Sequence, residues 1–324
     1  MMPTWGEILS ELKETAKTEK QHCFDVVRRK YLVKLYEKTK RNVILYATKW
    51  AQGGVSPSAV SITDEDIQGL MEVIHGLKGP NLDLILHSPG GSAEATEAFV
   101  SYLRSKFDNI RVIVPYAAMS AATMLACAGN KIVMGKHSFL GPIDPQMILH
   151  TPLGVKSIPA ESIKEQFELA KEECHDPKKL GTWLPILGQY GPALLVECDH
   201  AISLSKELVT EWLESYMFGG RNDAATLSKK VAKNLTAHKD FKSHGRHINR
   251  EKAKSFGLVI EDLEDDQELQ DLVLSTFHAT THTFNGTPAV KIIENHEGKS
   301  FVKHERMVVI PPSGTSPKPM KPSK

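Results

Sequence analysis

The sequence predicts an α/β fold built on a largely parallel sheet, and three observations predict it. Between Leu82 and Gly135, short apolar runs alternate with helical stretches: LDLILH, Ala93 to Phe107, IRVIVPY, Ser120 to Ala128, KIVMG. A strand–helix–strand rhythm needs crossover connections, which make neighbouring strands parallel. The runs are apolar almost throughout rather than alternating, as strands covered on both faces are. Finally, 324 residues with 41% apolar and 24% charged side chains are enough to bury one sizeable core.

The elements follow in order. Trp5 to about Lys40 is charge-rich, with Ile8, Leu9, Leu12, Val26, Val27, Leu32 and Leu35 at loosely helical spacing. This predicts one or two helices packed on the body or on a partner. RNVILYAT (41–48) reads as a strand and AQGGVSPSA as a loop. Ser61 to Leu77 reads as a helix, with Thr63 as cap and Asp64 and Glu65 in its first turn. After the alternating segment, Met147 to Pro159 is predicted to be a loop. Helices are expected over Ala160–Glu173, Pro192–Tyr216 and Ala224–Leu235. REKAKSFGLVIEDLE gives a short helix, a glycine stop and a strand, and Gln267–Phe277 a last helix. The predicted division is a helical extension (1–40), a main domain (41–277), a strand-like extension (278–310) and a Pro- and Lys-rich tail (311–324) expected to be disordered.

Several function classes recede on composition. A net charge of +1 gives no global field for nucleic acid, and the basic clusters at 28–30 and 38–41 read as solvated helix faces. The four cysteines, at 23, 127, 174 and 198, form no CxxC pair, so neither a zinc knuckle nor a disulfide framework is signalled. Free thiols fit a reducing cytoplasm. The N-terminus has no apolar signal core, and the richest apolar stretch, Val112–Ala128, is broken by Pro115, Ser120 and Thr123. A transmembrane segment is therefore not expected; peripheral membrane association through the first helix stays open. No metal or organic cofactor is expected, because the scattered Cys and His residues have no ligand spacing.

Two short motifs carry chemistry. LILHSPGGS ends an apolar strand in two glycines, whose backbone can approach a ligand closely and expose N–H groups in front of a helix. The structural alternative is a tight strand-to-helix turn. PYAAMSAATMLACAG places Ser120 among small residues where a strand gives way to a buried helix. A serine at a helix N-terminus is often only a cap. Here the surrounding small residues leave room for a substrate backbone. Ser120 as nucleophile, with N–H groups of Gly90 or Gly91 and of Ala121 as an oxyanion hole, is what acyl transfer requires.

At these residues the chain resembles the Clp-protease/crotonase superfamily. Within it the signal-peptide-peptidase-like branch is similar, and most of all the serine dehydrogenase proteinase family. The resemblance rests on LILHSPGGS, AAMSAATMLACAGNKIVMG, the GPIDPQ of Gly141–Gln146 and HGRHINREKAKSFGLVIEDLE, in family order from about Arg41 to Leu263. It implies a Clp/crotonase-like spiral of ββα units carrying the N-terminal helices as an extension, assembled as a homo-oligomer. It also implies serine-type hydrolysis of peptide or protein substrates without a cofactor.

The residue that activates Ser120 stays open between two named alternatives and a third, that the base is another residue or absent. His244 falls near the position of the Clp-type acid and Asp144 near that of the Clp-type histidine, so a Ser120–His244–Asp144 set has two partners exchanged in position. Alternatively, the branch that uses a lysine base places it near Glu161 or Ser162, and Lys164 lies close by. His244 and Asp144 also read as ordinary turn residues. Two rival functions remain: a catalytically inactive binding module of the same fold, and acyl-thioester chemistry, which the well-placed serine disfavours.

Overall fold

The computed structural model describes residues 4–151, 154–237 and 241–305. The predicted tail therefore lies outside the described residues. In chain order the elements are α1 Trp5–Thr18, α2 Cys23–Thr39, β1 Asn42–Thr48, α3 Pro57–Val60, α4 Asp66–Ile74, β2 Asn81–His87, α5 Ala93–Arg104, β3 Asn109–Val114, β4 Ala117–Ala118, α6 Ala121–Cys127, β5 Lys131–Met134 and β6 Phe139–Leu140. They continue with β7 Gln146–Thr151, β8 Gly154–Pro159, α7 Ala160–Glu173, α8 Pro177–Leu187, α9 Leu194–Trp212, α10 Ala224–Leu235, β9 Ile248–Asn249, α11 Arg250–Phe256, β10 Ile260–Asp262, α12 Gln267–Gly286, β11 Ala289–Asn295 and β12 Ser300–His304.

Seven strands form the main sheet, in the order β10-β5-β3-β2-β1-β11-β12. The four pairings from β10 to β1 are parallel, and β11 and β12 add antiparallel. Helices cover both faces, which is why the strands read as unbroken apolar runs. Leu82, Leu84 and Leu86 point into one core with α4, α5, α6, α9 and α10. Ile85, from the same strand, points into the other with α2 and α12.

Helix α5 shows how such packing is encoded. Its buried Ala95, Phe99, Val100 and Leu103 recur at helical spacing, and Ser92 caps it by accepting from the Ala95 N–H. Burying side chains the size of Phe99 or Leu103 contributes about 1.5–3 kcal/mol each.

The N-terminal helices pack on the body. Leu32 and Leu35 complete the second core, and the buried Arg28 guanidinium pairs with Glu294 on β11 and donates to Thr283 on α12. Helix α12 runs beyond Phe277 to Gly286, and residues 289–304 are strands of the main sheet.

Three local expectations are corrected. The loop expected over Met147–Pro159 is a hairpin, with Met147 opposite Ile158 and His150 opposite Val155. Its alternation was hidden because both faces carry apolar residues: Met147, Leu149 and Ile158 pack on one side against Ala160, Ile163 and Cys198, while Ile148 and Val155 lie exposed on the other. Helix α8 was not anticipated, because Pro185 lies inside it and proline argues against a helix interior. The helix expected over Ser61–Leu77 begins only at Asp66, and Thr63 does not cap it. Its first residues are held extended instead, by pairing Ile62 with Gly91.

Candidate active site

A short strand pairing assembles the site. Ser88, just past β2, forms a parallel bridge with Ala118 of β4: its N–H donates to Ala117 O at 3.2 Å and its C=O accepts from Met119 N at 2.9 Å. Running both chains forward from that register brings Gly90 beside Ser120. The approach is close enough to require glycine. A Cβ on Gly90 would lie 2.6 Å from Met119 O and 2.8 Å from Ala121 N, and Gly90 has φ +100°.

The two glycines are not equivalent. The Gly90 N–H is already taken, donating to Ser88 Oγ at 3.1 Å. Gly91 pairs with Ile62, whose N–H donates to Gly90 O at 2.8 Å and whose C=O accepts from Ser92 N at 3.1 Å. In a parallel bridge those contacts come from the flanking residues, so the N–H of Gly91 itself faces away from Ile62. Among the described residues, neither that N–H nor the N–H of Ala121 donates to a protein acceptor.

Ser120 sits at φ 51°, ψ −124°, a conformation that side-chain-bearing residues rarely adopt. Such a residue costs on the order of 1–3 kcal/mol and persists only where its surroundings enforce it. Here Ser120 O accepts from Thr123 N at 2.8 Å and Met124 N at 3.1 Å. Buried Thr123 donates from Oγ1 to Ala118 O at 2.8 Å and accepts from Gly141 N at 2.9 Å. The Ser120 side chain makes no capping hydrogen bond to α6, so the ordinary reason for a serine at a helix start does not apply. Ser120 lines a cleft of about 250 Å³, together with Gly91, Ala121, Met124, Ile143 and Leu204 among others.

Asp144 lies between Ile143 and Pro145, both of which line that cleft. The Asp144 side chain is 4% exposed, and its Oδ1 is 2.7 Å from His244 Nδ1. The Gln146 side-chain amide donates to its other oxygen at 3.3 Å. A carboxylate at Nδ1 keeps the proton on that nitrogen and leaves Nε2 free to accept one. Among the described residues, no hydrogen bond joins Ser120 to His244.

Lys164 is drawn elsewhere. On α7, its Nζ pairs with Asp199 at 2.5 Å, beside a groove lined by Glu161, Glu165, Glu168 and Glu172. The hydrogen bond to Asp199 raises its pKa, the reverse of what a lysine base needs. Lys164 thus has a carboxylate partner that favours its charged form, while His244 meets Asp144.

Other reactive side chains are sequestered. Burial pushes the Cys127 thiol up to about 12. Burial also pushes His87 down to about 4, with Nδ1 3.1 Å from Ala117 O; it packs against Trp50, Tyr116 and Phe277. Among the described residues, no group of three or more His, Cys, Asp or Glu is placed to hold a metal, and no helix is long and apolar enough to cross a membrane.

Sequence reasoning missed two contributors, Ser88 and Ile62. The serine of Ser-Pro-Gly-Gly was a visible signal for the first. Ile62 had none, because its pairing with Gly91 overrides a local helical pattern.

The profile of the ClpP-like SDH-type serine proteinases matches residues 15–273. An uncharacterized protein of Methanocaldococcus jannaschii is 40% identical over 87 residues, covering 26% of this chain and 30% of the relative. A second uncharacterized protein of that organism is 28% identical over 201 residues, covering 61% of this chain and 59% of the relative. The chain thus spans less than two thirds of the length of either relative. Among solved structures, a mutant of the 1510-N membrane-bound stomatin-specific protease aligns with a TM-score of 0.33 and 16% identity, over 64% of this chain and 78% of that one.

Proposed function

The chain belongs to the family of ClpP-like SDH-type serine proteinases, and from that premise we propose that it is a serine endopeptidase with Ser120 as nucleophile. His244 is the general base, Asp144 orients it, and the N–H groups of Gly91 and Ala121 stabilise the oxyanion. One observation carries the reading: two backbone N–H groups without acceptors and a strained, uncapped serine share one cleft.

The chemistry follows from that arrangement. Ser120 Oγ attacks the carbonyl carbon of the scissile bond as its proton passes to His244 Nε2. The carbonyl oxygen becomes an oxyanion held by the two N–H groups. Each such donor contributes roughly 2.7–4 kcal/mol to the transition state. The adduct collapses, His244 returns the proton to the leaving amine, and an acyl-enzyme remains. Water, deprotonated by the same imidazole, then releases the acid and regenerates Ser120.

The free edge of Gly91 suits an extended peptide that pairs as an added strand. Met124, Ile143 and Leu204 favour an apolar side chain in the cleft. Exposed Ile148 and Val155 on the β7–β8 hairpin, with Leu180 and Leu184 on α8, support a homo-oligomer. Free cysteines at 23, 127, 174 and 198 fit a reducing cytoplasm.

A second reading, an inactive peptide-binding module, is favoured by the absent Ser120–His244 hydrogen bond, although such bonds often tighten only once substrate binds. Casein and fluorogenic-peptide assays of the wild type and Ser120→Ala, with a fluorophosphonate probe, separate the two. The peptidase reading expects labelling and turnover that both vanish in the variant. Turnover equal in the two proteins removes Ser120 from the mechanism, and no labelling or turnover in either leaves the binding module.

A further inference from the structure

We infer that the buried ion pair between Lys291 and Asp66 is a positioning device that aims the Gly91 N–H into the cleft. The inference rests on the reading of Gly91 as an oxyanion donor.

Gly91 takes its orientation from Ile62, and Ile62 belongs to no strand of the main sheet. It is one extended residue between α3 and α4, so something else must hold it. Both of its neighbours are tied to the same pair of charges. On one side, Ser61 O accepts from Lys291 Nζ at 2.7 Å. On the other, Thr63 N donates to Asp66 Oδ2 at 3.1 Å. Lys291 and Asp66 meet at 2.6 Å, with side chains 0% and 1% exposed. The hydroxyl of buried Tyr46 donates to Asp66 Oδ2 at 2.7 Å. The clamp is anchored in rigid structure, since Lys291 lies on β11 opposite Thr48 of β1.

The energetics favour a geometric role. A buried ion pair contributes little net stability compared with apolar residues of similar size, because desolvation offsets the attraction. What this pair supplies is direction, a fixed donor and a fixed acceptor on either side of Ile62. Released from it, residues 61–65 would be free to follow the helical pattern of their own sequence. Ile62 would then leave Gly90 O and Ser92 N, and the Gly91 N–H would lose its aim.

The test is Lys291→Met combined with Asp66→Asn, which removes both charges so that neither is left buried alone. Amide hydrogen exchange reads the clamp directly, whatever the catalytic activity. The expected result is at least about tenfold faster exchange at Ile62 and Ser92, with Leu84 and Val112 unchanged; general destabilisation would speed all four. In peptide assays, kcat should fall roughly 10–100-fold with KM little altered, as misplacement of a transition-state contact does. Wild-type protection at Ile62 and Ser92 overturns the inference, as does faster exchange with an unchanged kcat. If the wild type and Ser120→Ala prove equally inactive, the peptidase reading fails and the exchange pattern alone decides whether the pair holds Ile62.

Discussion

A Cβ added to Gly90 would lie 2.8 Å from the Cβ of Ser120. The two backbones touch, and the proposed nucleophile depends on a residue with no side chain. Gly90→Ala forces a residue at φ +100° into contact with Met119 O and Ala121 N. Strain of this kind costs on the order of 1–3 kcal/mol, and the backbone around Ser120 must shift to relieve it. The expected outcome is a lower melting temperature and a loss of peptidase turnover on the order of 100-fold. Calorimetry and a fluorogenic assay measure the two effects.

The contact between His244 and Asp144 predicts a matched pair of variants. His244→Gln removes the proposed base, while Asp144→Asn keeps the shape but no longer holds the tautomer that base would need. Each should lower kcat by roughly 10³–10⁴-fold, and the two together by little more than either alone, because the residues act as a unit. A double variant far worse than both singles would show that they act separately.

Lys164→Met should leave kcat/KM unchanged. The lysine is paired with Asp199 on the neighbouring helix α9, and a partly exposed pair of this type contributes no more than about 1 kcal/mol to stability. A loss of turnover on the scale expected for His244→Gln would restore the lysine base.

His87 predicts acid sensitivity. Its folded-state pKa lies near 4 because burial disfavours the charged ring, while in the unfolded chain it titrates near 6.5. Between those values the unfolded state binds a proton that the folded state refuses. Stability therefore falls as pH drops from about 6.5 to about 4, by on the order of 3 kcal/mol. Burial lowers His278 and His296 in the same direction. Urea denaturation at pH 7 and pH 4.5 should show the fall, and His87→Phe should flatten its slope.

Much of this architecture was legible in the sequence where local and global preferences agree. The bounds of α7 and α10 follow from spacing, and those of α11 also from its caps, with Asn249 accepting from the Lys252 N–H and Gly257 ending it at φ +106°. Ser120 and the glycines were conspicuous because two neighbouring strands both end in small residues, which the close approach of their backbones requires. The choice between Gly90 and Gly91 was not legible. It depends on which N–H is already taken, and Ser88 and Ile62 decide that through contacts distant from any periodic pattern. Nor could spacing show that Asp199 pairs with Lys164 or that Asp144 meets His244, since each partner lies far along the chain.

Strand β11 lies beside β1, Ile44 against Asn295, so the sheet joins an early segment of the chain to a much later one. Ser120 and both glycines leave the ribosome long before Lys291 does. A nascent chain therefore passes through a stage in which its proposed nucleophile has been synthesised while the strand flanking β1 has not. Translation order itself withholds the finished scaffold until residue 295 has emerged, and a chain released early carries Ser120 without the strand that holds Lys291 beside Ser61 and Asp66.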